Sequence, residues 1–251
     1  MARDGVARRL DGMTALDALS FWCRRQGTFW LLALPIAGLA AAITYVLEID
    51  RQWIDWRQHW GWNFLFALLY AMFLDRWIKE ALLDDASLCD EADDLRRSTI
   101  AVRFLTFAAA VCLLGVATAP CPYLGLNIVL CAAAATLFVL LLPSLAAGRP
   151  LSLGQAFILG RPLQTPLFLL IAGTMLLSLL AGEVLVWGST FLPDKPWNAA
   201  AVAAGQRLVD CLLLTLVGYA LASIFRQCTD WQPPEPPDHI ARGMRLRTHK
   251  A

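Results

Sequence analysis

The feature that most constrains this chain is an alternation of long apolar runs with short charged segments. The first run, "TFWLLALPIAGLAAAITYVL" (28–47), holds no charge over 20 residues, about the length a helix needs to cross a hydrocarbon core of roughly 30 Å. In lipid every backbone N–H and C=O must be bonded within its own segment, so a run of this kind spans as a helix. Composition agrees. Apolar residues make up 58% of the chain and charged residues 16%, against roughly 45–50% and about 25% in soluble domains.

Five further runs follow. The second, 60–80, is interrupted by Asp75 and Arg76 and needs Trp77, Ile78 and a snorkelling Lys79 stem to reach full length. The third is 99–119 and the fourth 123–147, with only "PCP" between them, which makes them antiparallel neighbours. The fifth is 163–187 and the sixth 199–225. The expected fold is all-α: a polytopic membrane protein of six transmembrane helices with short interfacial helices. Residues 1–27 form an amphipathic cytoplasmic segment, 28–225 the membrane domain, and 226–251 a Pro-rich, then basic, disordered tail.

Orientation follows from basic residues, which translocate poorly in short loops. Six spans place 17 of the 21 Lys and Arg on one side and three on the other, with Arg207 inside the sixth run. Omitting the second span gives at best 14 against six. Six spans with both termini cytoplasmic is therefore the expectation, the first span being retained as a signal anchor. Of the seven cysteines only Cys121 then reaches the outer face, which excludes an intramolecular disulfide there. All seven read as small apolar filler.

Several segments are expected to lie on the membrane surface. Trp53, Trp56 and Trp60, spaced by three and four, share one helical face and suit the headgroup layer. Near the N-terminus, Thr14 and Asp17 have capping-box-like spacing before the membrane-facing candidates Leu16, Leu19 and Phe21. The acids Glu80, Asp84, Asp85, Asp90, Glu91, Asp93 and Asp94 lack a Ca²⁺-loop pattern and read as a solvated cytoplasmic helix. No metal, cofactor or nucleic-acid partner is expected.

The fifth and sixth runs carry three charges: Glu183, Arg207 and Asp210. An ionised group near a helix centre costs about 2.5–3.5 kcal/mol on insertion scales, so these residues are expected to compensate one another. Asn127 falls at similar depth. The cluster reads either as an ion pair locking the fifth helix to the sixth or as a polar vestibule open to the outer face. The pairs Gly38/Ala42 and Gly218/Ala222 offer small faces for close helix packing.

The stretch "LLPSLAAGRPLSLGQAFILGR" (141–161) carries Gly-Arg-Pro at 148–150, and a second copy at 160–162 begins at its end. Each glycine can end a helix, each arginine can reach cytoplasmic headgroups, and each proline can open a new first turn. Between the copies Ser152 and Gln155 fit a capping box, with Leu153, Ala156 and Phe157 directed at the bilayer. The stretch reads as an interfacial elbow held at the headgroups by Arg149 and Arg161.

The same stretch resembles a pattern in bacterial six-helix inner-membrane proteins related to the membrane domain of glycerophosphodiester phosphodiesterases. Pro143, Gly148, Arg149, Leu151, Ser152, Leu153, Gly154 and Ala156 carry the resemblance, while Gln155 stands where Glu is frequent. It covers about 20 residues and implies a bacterial inner-membrane module. No soluble phosphodiesterase domain follows the sixth run, so that activity is not implied. The expected function is a structural or accessory membrane factor acting through lipids, a protein partner or a second copy. A small transporter using the Glu183, Arg207 and Asp210 cluster is the alternative, and a lipid-modifying enzyme the third.

Overall fold

A computed structural model describes residues 15–47, 60–83, 124–149, 151–192, 195–229 and 231–232. The expected span at 99–119, Thr14, Trp53, Trp56, the acids from Asp84 to Asp94 and most of the tail lie outside the described residues. Those described are helical, without a strand among them. The helices are α1 (Ala15–Arg24), α2 (Gln26–Leu47), α3 (Trp60–Leu82), α4 (Leu124–Phe138), α5 (Leu141–Ala146), α6 (Leu153–Gly160), α7 (Gln164–Ser189) and α8 (Pro196–Thr229). Three stretches among them are long and apolar enough to cross a membrane: Gln26–Val46, Leu153–Ser189 and Pro196–Thr229.

The organising element is α8, which packs against α2, α3 and α7 and touches α1 and α5. Side-chain pairs fix its register. Trp77 donates to the Thr215 carbonyl at 3.0 Å, and Arg226 donates to the carbonyls of Ala81 and Leu82, so α3 and α8 run parallel. Asn198 donates to the Ser189 carbonyl at 3.0 Å while Gln206 reaches Ser178, so α7 and α8 run antiparallel. One end of the bundle thus gathers the finish of α3 and α8 with the start of α2, where Arg25 meets Glu80 at 3.6 Å. The other end holds the junction of α7 and α8.

The core explains why these apolar runs settle together. Trp77 is fully buried, stacked on Phe73 and met edge-on by Phe21 and Phe29. Such aromatic contacts add about 0.5–1.5 kcal/mol each beyond area burial. Beside it, a Cβ at Gly218 would stand 3.0 Å from both Leu74 and Trp77, so glycine permits the α3–α8 approach. The Gly38/Ala42 face of α2 behaves otherwise: both residues are exposed, and nothing lies within 4 Å of a Cβ at Gly38.

Charge pairing explains how α3 runs unbroken through Asp75 and Arg76. Lys79 bonds Asp75 at 2.8 Å and Arg76 bonds Glu80 at 2.9 Å, each one turn apart. Lys79 is buried by these contacts rather than snorkelling, and Glu80 is buried rather than part of a solvated acidic face. Phe21, expected on the membrane side of α1, is turned inward against Trp77 and Tyr219, while Leu16 and Leu19 are exposed.

The elbow forms largely as its residues dictate. Pro143 lacks an N–H for the Val139 carbonyl, which takes the Leu142 N–H instead, and the helix breaks at 139–140 into α4 and α5. Gly148 then ends α5 with φ 69°, a left-handed turn in which the Arg149 N–H closes on the Ser144 carbonyl. Ser152 and Gln155 make the reciprocal capping box that opens α6. Gly160 departs from expectation: it is helical and buried, a Cβ there would lie 3.5 Å from Leu140, and the chain passes through a 3-10 turn at Arg161–Leu163 into α7. Ala156 is buried, not bilayer-facing.

Candidate functional site

The polar centre of the bundle is built on Asp210, in the middle of α8. Its Oδ1 accepts from Ser178 Oγ at 2.5 Å and from Gln206 Nε2 at 3.0 Å. Its Oδ2 accepts from the Tyr70 hydroxyl at 2.6 Å and from Arg207 at 3.2 Å. Arg207 also donates to the Tyr70 oxygen at 3.0 Å. Four donors from α3, α7 and α8 therefore converge on one carboxylate, beyond what any two of these helices could supply.

Helical spacing accounts for the convergence. Gln206 and Asp210 are one turn apart on α8, and Arg207 is three residues before Asp210, so all three share the surface facing α3 and α7. The guanidinium carbon of Arg207 lies 4.5 Å from the centre of the Phe66 ring and 5.8 Å from that of Tyr70. A cation over an aromatic face gains about 2 kcal/mol when desolvated, which adds to the neutralisation from Asp210. A Cβ at Gly182 would stand 2.9 Å from Gln206 Oε1, so a larger residue there would displace the end of the Gln206 side chain. That Oε1 is buried and accepts no hydrogen bond among the described residues.

Of the charges singled out in the sequence, Arg207 and Asp210 are brought together and Glu183 is not. Glu183 lies five residues beyond Ser178, about 140° around α7, and is exposed with no side-chain partner among the described residues. The compensation that Arg207 needs comes from Asp210 and the two rings instead. Asn127 is on α4, and its side chain, like that of Trp60 at the start of α3, lies outside what the structure describes. Arg149 and Arg161 are both exposed at the elbow.

Tyr70, Ser178 and Gln206 are the members that sequence reasoning missed. Tyr70 and Ser178 sit in apolar runs where each type is ordinary. Gln206 carried a signal, a strongly polar amide beside Arg207 and one turn from Asp210. Chemically the cluster is an internally neutral hydrogen-bonded knot, since the carboxylate has a guanidinium partner and a donor for each of its principal lone-pair directions. Among the described residues no group of three His, Cys, Asp or Glu side chains could hold a metal ion. Comparison with family models, with curated proteins and with solved structures found no match.

Proposed function

We propose that this chain is a six-crossing membrane protein of the bacterial inner-membrane type that serves as a structural or accessory factor, acting through lipids and protein partners. The observation that carries this reading is the saturation of Asp210, whose oxygens accept four hydrogen bonds from its own chain. A carboxylate so occupied and neutralised locks α3, α7 and α8 together and offers little to a passing solute.

Support for six crossings comes from helix direction. α3 ends beside Arg226, and α5 runs into the elbow that starts α7, so α3 and the α4–α5 pair both point to the same end of the bundle. A crossing by the apolar run at 99–119, whose length as a helix would be roughly 30 Å, would join the end of α3 to the start of α4. The end reached by α3, α5 and α8 also carries Arg25, Arg76, Arg149, Arg161 and Arg226, which favours the cytoplasmic side.

The competing reading, a small permease, has one observation in its favour: the open Gln206 Oε1 at the edge of the cluster. Both are tested by expressing Arg207→Ala, Asp210→Ala and the double variant. A structural lock predicts loss of folded protein in each single variant and recovery in the double. Folded single variants in cells that have lost uptake of a solute would favour the permease.

A further inference from the structure

We infer that the elbow between α5 and α7 is a docking surface for anionic phospholipid at the membrane face reached by α3 and α8; this rests on the membrane reading above and names the lipid partner. The surface begins with α6. Its buried side is Ala156 and Gly160, which leaves Leu153 61%, Phe157 44% and Ile158 71% exposed. In an eight-residue helix next to a membrane-length one, three large apolar residues directed outward are suited to the acyl boundary.

Arg161 completes the face. It follows Leu153 and Phe157 at successive intervals of four, and its backbone is still helical at φ −52° and ψ −45°. Its side chain therefore emerges from the exposed arc, between the directions of Phe157 and Ile158. Arg149 stands at the other end of the elbow, directed out of the bundle by the left-handed turn at Gly148.

Neither guanidinium has a side-chain partner among the described residues. Nor is one at hand in the sequence, which holds no Asp or Glu between Asp94 and Glu183. Of the described acids at this end, Asp75 and Glu80 are engaged by Lys79, Arg76 and Arg25, and Asp17 on α1 has an interaction of its own. Two cations without a carboxylate partner among the described residues, at the ends of an exposed apolar helix, complement a layer that is anionic above and hydrocarbon below, and an arginine close to such a layer strengthens binding about fivefold.

The test uses the full chain reconstituted in nanodiscs of phosphatidylcholine and phosphatidylglycerol at four to one, with the retained lipids counted by native mass spectrometry after gentle release. The wild type is expected to retain phosphatidylglycerol above its share. Arg149→Ala and Arg161→Ala should each lower that enrichment about fivefold, the double variant should abolish it, and Arg149→Lys/Arg161→Lys should keep most of it. Unchanged enrichment in the double alanine variant would overturn the proposal, as would equal loss in the lysine variant, since the lysine pair keeps the charge. All four variants leave Arg207 and Asp210 intact, so failure here is distinct from failure of the lock.

Discussion

The Tyr70 hydroxyl donates to Asp210 Oδ2 at 2.6 Å, joining helices whose contacting residues are 140 positions apart. That bond ties α3 directly to the carboxylate that α7 and α8 also share. It also sits against Arg207, so one phenol oxygen both accepts from the cation and donates to the anion.

Tyr70→Phe removes this link while keeping the ring under Arg207. Inter-helix hydrogen bonds in membranes average about 0.6 kcal/mol and reach about 1.7, so a loss of about 1 kcal/mol is expected. Unfolding in mixed micelles titrated with dodecyl sulfate measures it. A variant as stable as wild type would show that the Tyr70 hydroxyl contributes nothing to holding α3.

The two small-residue faces make opposite predictions. Gly218→Ala places a methyl 3.0 Å from Leu74 and Trp77 and should cost about 1–3 kcal/mol through overpacking. Gly38→Ala meets nothing within 4 Å and should be neutral, or stabilise by up to about 1 kcal/mol through helix propensity. The same unfolding measurement on both variants checks the contrast, and equal effects would contradict it.

Ser152→Ala deletes the side-chain acceptor of the α6 capping box, worth about 1 kcal/mol locally. Amide exchange should accelerate in residues 153–157 and stay unchanged in α8. Exchange unaltered in α6 would mean that packing of Ala156 and Gly160, not the cap, fixes the elbow.

Features written in local spacing were legible in the sequence. The Ser152/Gln155 box, the glycine stop at Gly148 and the Arg207/Asp210 pair depend on neighbours within one or two turns, and each is present as read. Features set by which side of a helix meets which neighbour were not. Phe21 and Leu19 are equally apolar, yet one is buried and the other exposed. Tyr70 and Ser178 acquire their role only when α3, α7 and α8 close around Asp210, and Glu183 loses the role assigned to it because its face of α7 turns outward. In an apolar run both faces are hydrophobic, one for lipid and one for protein, so periodicity cannot tell them apart.

Six crossings make a prediction about native cysteines kept one at a time. Cys89 precedes the apolar run at 99–119 and Cys121 follows it. In right-side-out vesicles an impermeant maleimide should label Cys121 and spare Cys89, and inverted vesicles should reverse the pattern. Labelling of both from one side would remove a crossing between α3 and α4.

The central claim, that Arg207 and Asp210 form a structural lock, is tested most directly by a double-mutant cycle on unfolding free energy. Leaving either charge without its partner is expected to cost about 3–5 kcal/mol. The double variant should lose clearly less than the sum of the singles, with a coupling of about 1–3 kcal/mol. Single losses that add to within about 0.5 kcal/mol would contradict the account, because independent residues add and a lock does not.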